Sequence, residues 1–456
     1  MLAMYIRSVS VSNIRCFGRG ADGITRLSFR TKSGGYAGWT VVAGRNGAGK
    51  TALLQAIACG LSGPRAADRL VHRLPDPEGW IHQGRRRASV EVHIDSYGMD
   101  DWLLKGGSQR NTGVPLSLKV IWSRSGGAEP KVEGESDDLQ SANAGPWAGA
   151  ENGWFAAGYG VGRRLRGGDA DSRKSRLDGL FDDELTTSSG LSWLTKKYTL
   201  SVAWRLAQSE PKTRLDPEAM ADGRSATETI ERVQAVLNRS KLLPVDYEVE
   251  IGSGGLFFVK QDLRIPLAAM SHGYRVVVGL VLDVLSKLDM QLDGLQVSAR
   301  EAGPVFVAHG VVLIDEVDLH LHPAWQSDLG EHLTTLFPNL QFIVTTHSAF
   351  ACHNADCLIR LGAQEAGAPV AKRVDDSALG AIVNGEVDDI VLSELFALTR
   401  SVSREAESMQ RRAAKLKRRF ACDELSAEEE VTLFELLANL PDDGTALWAR
   451  AQGRSR

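Results

Sequence analysis

Apolar and polar residues alternate over residues 88–95 and again over 115–122, the period of two expected of half-buried antiparallel strands. Short apolar runs at 5–11, 23–29 and 40–43 predict three more strands, and the third leads through a glycine-rich turn into a helix over 52–58. Residues 123–152, rich in Gly, Ser, Glu and Asp, predict an exposed loop, after which 153–160 return to the core. A second irregular stretch, 167–175, precedes helices over 191–208 and 218–240. Residues 247–251 and 255–260 predict a hairpin across Gly252, Ser253 and Gly254. From 271 onward the order is helix, strand (311–314), helix (324–336) and strand (341–345). Beyond about residue 385 the chain reads as helical and strongly charged, and no internal repeat is present. The fold class is α/β.

Composition narrows the function classes. With 456 residues the chain is long enough for about two or three structural units with real cores. Its 53 Lys and Arg against 57 Asp and Glu give a formal net charge of -4, which excludes a globally basic nucleic-acid coat but leaves local patches open. The five cysteines (16, 59, 352, 357, 422) form no C-x-x-C pair and no metal-type spacing, as expected of thiols in a reducing cytoplasm. The first residues lack the apolar core of a signal peptide. The apolar stretch 276–285 is interrupted by Asp283 and is far short of the roughly 20 residues a bilayer span needs. A cytoplasmic protein without a membrane partner is expected.

The densest chemistry lies in Gly44-Arg45-Asn46-Gly47-Ala48-Gly49-Lys50-Thr51, which matches G-x-x-x-x-G-K-[ST] without a mismatch. It sits between a predicted strand and a predicted helix, where glycines let backbone N–H groups turn inward around phosphate oxygens. Lys50 is then placed to reach the β- and γ-phosphates, and the Thr51 hydroxyl to ligate Mg²⁺. An ordinary glycine-rich turn is the alternative, and the strand and helix on either side weigh against it. The chain is expected to bind ATP or GTP.

Four apolar residues, 311–314, run into Asp315 and Glu316. A buried parallel strand puts Asp315 at its carboxyl end, where ligands of open α/β sheets collect. There Asp315 would hold Mg²⁺ beside Thr51, and Glu316 would orient and polarise the attacking water. Ser271 and Gly273, directly before a long apolar helix, suggest a second anion site or a simple N-cap. His320 and His322 have no carboxylate or Cys partner at metal-ligand spacing, so no metal is expected there. His347 ends a buried strand; it is either structural or, on the same face, close to the γ-phosphate.

The ordered set Gly44 to Thr51, Ser271-x-Gly273, Asp315-Glu316 with Asp318, and His347 resembles the ABC-type ATPase heads. Within these the chain is most similar to the RecF/SMC/OLD-like branch, called AAA family ATPases in anti-phage systems, and to Septu-like ATPase subunits in particular. The phrases at 158–164, 321–326 and 337–348 sharpen a likeness that spans roughly residues 5–360. The resemblance implies a P-loop NTPase fold of ABC type: a mixed sheet with flanking helices, an antiparallel β subdomain, an inserted helical lobe, and a C-terminal helical segment. It implies ATP as substrate, Mg²⁺ as cofactor, and Glu316 and His347 as catalytic residues. The nucleotide would be bound by Arg15, Gly44, Asn46, Gly47, Gly49, Lys50 and Thr51, with Thr51 and Asp315 on the metal. It further implies a head-to-tail ATP-sandwich dimer or higher oligomer, in which Ser271 and Gly273 meet the γ-phosphate held by the other protomer's Lys50. A nuclease or other effector subunit is the implied partner, and DNA or RNA is a further candidate. A RecF-like DNA-repair ATPase is the alternative, and a transporter's ATPase subunit a weaker one.

On this reading residues 1–165 are the N-terminal part of the head and 166–270 the lobe; 271–365 complete the head and 366–456 form the helical tail. In the tail, Arg411, Arg412, Lys415, Lys417, Arg418 and Arg419 crowd one helix, and Ser426 with Glu429 makes a capping box for the next. Such a hairpin is either a solvated surface or a dock; if it packs instead, Leu416, Phe420, Leu433 and Leu436 are expected against the head.

Overall fold

The apolar segments near the N-terminus become β1 (Ala3–Ser12), β2 (Ile24–Ser28) and β3 (Trp39–Gly44), followed by α1 (Lys50–Ser62) and α2 (Pro64–Val71). This is a computed structural model that describes residues 3–18, 23–31, 35–97, 115–125, 130–148, 155–163, 176–182, 189–209, 216–244, 246–292, 294–300, 303–362, 371–385, 390, 404–421 and 425–438. The irregular stretch expected at 167–175 lies outside the described residues. The two alternating segments form β4 (Arg87–Tyr97) and β5 (Leu116–Ser123), which pair antiparallel. With β6 (Lys131–Ser136) they build a five-stranded sheet in the order β2-β1-β4-β5-β6. Alternation turns Val90, Val92, Leu118 and Val120 into the core, where they meet α1.

Strand β6 and the short helix α3 (Leu139–Ala144) lie inside the span expected to be a loop. An edge strand pairs on one side only, so β6 carries charges, among them Glu135 paired with Lys119 at 3.1 Å, and reads as polar.

Helix α1 is apolar on every side, and Leu53, Leu54 and Ile57 are fully buried. It touches strands of both main sheets, so no side of it is left to water. Each of those three side chains contributes roughly 1.5–3 kcal/mol on burial. Gly60 permits the close approach: a Cβ there would stand 2.5 Å from Val92.

The second main sheet gathers β7 (Phe155–Tyr159), β13 (Gly310–Ile314), β14 (Leu340–Thr346), β15 (Cys357–Leu361) and β16 (Ala371–Arg373) around β3. Its order is β16-β15-β3-β14-β13-β7. All but β16 run parallel, and β16 adds antiparallel to the edge. Strands β3, β13 and β14 are buried along their whole length, as parallel strands covered on both faces should be. The two sheets are tied by buried Gln341 of β14, whose amide accepts from Ile6 N (2.8 Å) and donates to Ile6 O (3.1 Å) where β1 shifts register.

Between β7 and β13 come α4 (Ser189–Ser209), α5 (Pro217–Asn238), the three-stranded sheet β8 (Glu248–Gly252), β9 (Gly255–Lys260) and β10 (Leu263–Pro266), then α6 (His272–Leu292). Helix α4 packs on both α5 and α6. The expected hairpin is present as β8 and β9, while β10 and the ribbon of β11 (Val297–Arg300) with β12 (Gly303–Phe306) were not anticipated. Four-residue strands are too short to display a period. Helix α7 (Pro323–Leu336) joins β13 to β14, and α8 (Asp376–Asn384) follows β16.

The chain divides into two units, 1–390 and 391–456. Strand β16, within the first unit, is an antiparallel edge of the large sheet. The second unit contains α9 (Arg404–Ala421) and α10 (Ala427–Ala438). Its capping box is formed, with Ser426 N donating to Glu429 Oε2 (3.0 Å) and Glu429 N to Ser426 Oγ (3.3 Å). Leu416, Phe420, Leu433 and Leu436 pack within this hairpin, together with Ala413 and Leu437. Among the described residues no helix is long and apolar enough to cross a membrane.

One buried group makes stability pH-dependent. His309, 6% exposed just before β13, is pushed by burial down to about 4. An unfolded histidine takes up its proton near pH 6.5, so below that value the unfolded chain binds more protons and stability falls as pH falls. His309→Gln should flatten the melting-versus-pH curve between pH 6.5 and about 4, removing a slope of roughly 1.4 kcal/mol per pH unit. Identical curves for the two proteins would show that His309 protonates as easily folded as unfolded.

Candidate nucleotide site

The glycine-rich turn leaves β3 at Gly44 and enters α1 at Lys50. Gly47 and Gly49 have φ of 74° and 97°, a region other residues adopt only with strain. Gly49 is doubly constrained, because a Cβ there would sit 2.3 Å from Cys16 Sγ. It is also the N-cap of α1 and offers no side-chain cap, so the first-turn amides and the positive end of the helix are available to an anion. Asn46 and Gly47 are exposed at the rim.

Lys50, 6% exposed, donates through Nζ to Gly44 O (2.9 Å) and Arg45 O (3.2 Å) and lies 2.7 Å from His347 Nε2. Burial pulls its pKa down, against the opposing pull of Asp315, Glu316 and Asp318. Burial, and then the Lys50 charge, hold His347 below the usual histidine value, which favours a neutral ring that accepts from the ammonium. Thr51 Oγ1 donates to Asp315 Oδ2 at 2.7 Å.

This meeting follows from strand order. Strand β14 lies between β3 and β13, so the ends of three parallel strands bring Lys50, His347 and Asp315 to one edge. The end of β14 also organises the acids. Thr345 Oγ1 donates to Asp315 Oδ1 and accepts from Glu316 N (2.7 Å). Thr346 Oγ1 and His347 N donate to Asp318 Oδ1 at 2.6 and 3.3 Å. Sequence reasoning assigned the two threonines no role. Their signal was two consecutive polar residues ending an otherwise apolar strand.

Thr51 and Asp315 supply hydroxyl and carboxylate oxygens, the hard donors that suit Mg²⁺, and they already converge. The other expected residues are placed elsewhere. Ser271 is exposed just before α6. A Cβ on Gly273 would contact His320 O and Leu321 (both 3.8 Å) rather than the glycine-rich turn. The His272 ring stands edge-on to His320 at 4.6 Å. His322 caps α7 by accepting from Ala324 N. Arg15 has φ 48°, donates from its backbone N to Trp80 O (3.0 Å), and stands 5.9 Å over the Trp80 ring; its neighbour Cys16 is what touches the turn.

Two family profiles match the chain. Residues 8–123 match "AAA domain", and residues 166–352 match "AAA domain, putative AbiEii toxin, Type IV TA system". The Septu protein PtuA of Bacillus mycoides is 24% identical over 327 residues, covering 71% of this chain and 36% of that protein. The Retron Ec83 probable ATPase of Escherichia coli is 36% identical over 97 residues, covering 21% of this chain and 17% of its own length. The chain thus spans well under half the length of these curated relatives. Among solved structures, an Smc head bound to the C-winged helix domain of ScpA covers 82% of this chain and 99% of its own, at a TM-score of 0.45 and 16% identity. Two segments of this chain thus match AAA-domain profiles, their strands meet in one sheet, and the chain is similar in part to the Septu and retron ATPases.

Proposed function

We propose that this chain binds and hydrolyses Mg-ATP between two copies of itself and thereby controls a separate effector, a nuclease in the favoured version, in defence against phage. The observation that carries the reading is the convergence of Lys50, Thr51, Asp315 and His347 on one edge of the sheet. ATP phosphates would lie on the amides of residues 44–49, with Lys50 exchanging the carbonyls of Gly44 and Arg45 for phosphate oxygens. Thr51 and Asp315 would hold Mg²⁺, which would supply positive charge to offset that of the phosphates. Glu316 would orient the attacking water and accept its proton, and neutral His347 would donate toward the γ-phosphate. The names of the relatives favour defence over DNA repair.

The dimer rests on Ser271 and Gly273. Both belong to an exposed helix start beside the loop that follows Glu316, available to a second copy. Mixing Ser271→Arg chains with Lys50→Ala chains creates some dimers with one site carrying both defects and one carrying neither. ATPase activity should reappear in the mixture, at up to about a quarter of the wild-type rate if half of the dimers are mixed and each has one working site. Two inactive chains that never complement would place hydrolysis within a single chain.

A further inference from the structure

Arg163 lies four residues beyond β7, in the connection that leads to the lobe. It is 4% exposed, a rare location for a guanidinium, and such groups stay buried only when their donors are matched. The match is to backbone. One terminal nitrogen donates to Gly160 O (3.0 Å) and to Asp315 O, and the other donates to Glu316 O. The fork therefore grips two successive carbonyls of the acidic pair and the chain that carries the arginine itself.

We propose that Arg163 is a positioning residue for Glu316, its planar guanidinium fixing the backbone of Asp315 and Glu316 so that the Glu316 carboxylate faces the attacking water. This rests on the hydrolytic reading above and deepens it.

Three observations support the assignment. Glu316 has φ 46°, in the left-handed region that a glutamate does not adopt without external constraint. Its N–H is held by Thr345 Oγ1 and its carbonyl by Arg163, so the residue is fixed from both ends while its carboxylate is left for chemistry. The segment bearing Arg163 is itself anchored: Asp315 N donates to Tyr159 O (2.8 Å), and Lys287 of α6, paired with Asp283 at 2.8 Å, stands 4.3 Å over the Tyr159 ring. Burial lowers the arginine to about 10 against the pull of Asp315, Asp318 and Glu316, so it remains charged at neutral pH. A lysine would keep the charge but not the planar fork that reaches two carbonyls at once.

The test combines Arg163→Lys and Arg163→Gln with Glu316→Gln in the full chain, measuring ATP affinity, single-turnover hydrolysis and melting. Loss of such a supporting contact typically costs roughly 10–100-fold in activity. Turnover of Arg163→Lys and Arg163→Gln should fall by that factor, with ATP affinity changed less than about threefold. In the Glu316→Gln background the same Arg163 substitutions should cause no further loss, since there is no base left to position. An equal loss in both backgrounds overturns the proposal, as does unchanged turnover. Early melting of both variants also overturns it, making Arg163 a folding residue. Wild-type turnover by Glu316→Gln alone is a separate outcome: it takes Glu316 out of the catalytic role and with it the positioning role of Arg163, while hydrolysis by the chain stands.

Discussion

Lys50→Ala is expected to abolish measurable ATP binding at micromolar nucleotide, the largest effect of any single substitution in the chain. Its ammonium is buried where the parallel strands end, and its partners there are two backbone carbonyls and one histidine. Hydrogen bonds to charged groups contribute roughly 1.5–3 kcal/mol each, so two such bonds to phosphate correspond to about 10²–10⁴-fold in Kd. The substitution also removes the positive charge that opposes the acids at 315, 316 and 318. Isothermal titration with ATP and Mg²⁺, beside a melting curve without nucleotide, separates lost affinity from lost fold. Equal affinity in the two proteins would remove the basis for a nucleotide site at the glycine-rich turn.

Glu316→Gln should give the second large effect and a different phenotype. The amide keeps the size of the side chain, and the backbone of residue 316 is held by Thr345 and Arg163 regardless of the side chain. ATP should therefore bind, while loss of the general base lowers turnover by about 10²–10⁴-fold. If two copies close around ATP, the variant should accumulate as a nucleotide-dependent dimer, visible by sedimentation with ATP and absent without it. Cells carrying it should lose phage protection if protection needs completed cycles of hydrolysis. A wild-type rate of hydrolysis would move Glu316 out of the catalytic role.

The glycine-rich turn and the acidic pair were legible in the sequence because their constraints are local. Residues 44–51 are consecutive, and a positive φ at Gly47 and Gly49 is a requirement that only a narrow set of residues meets. Strands β4 and β5 were equally legible, since one face of each is buried and the alternation follows. Strand β6 was hidden by the charges that protect a sheet edge, and β16 by its three-residue length.

By itself, then, the sequence determined the α/β class, the glycine-rich turn, the acidic strand end and the capped C-terminal hairpin, each written within a few neighbouring residues. Tertiary structure alone decided that β14 separates β3 from β13, which is what brings His347 to Lys50 across 297 residues of chain and Thr345 to Asp315 across 30. It also decided that Arg163 grips the carbonyls of the acidic pair. No local period encodes which strands become neighbours, because that order is set by how buried faces pack around α1, and the site is a product of that order.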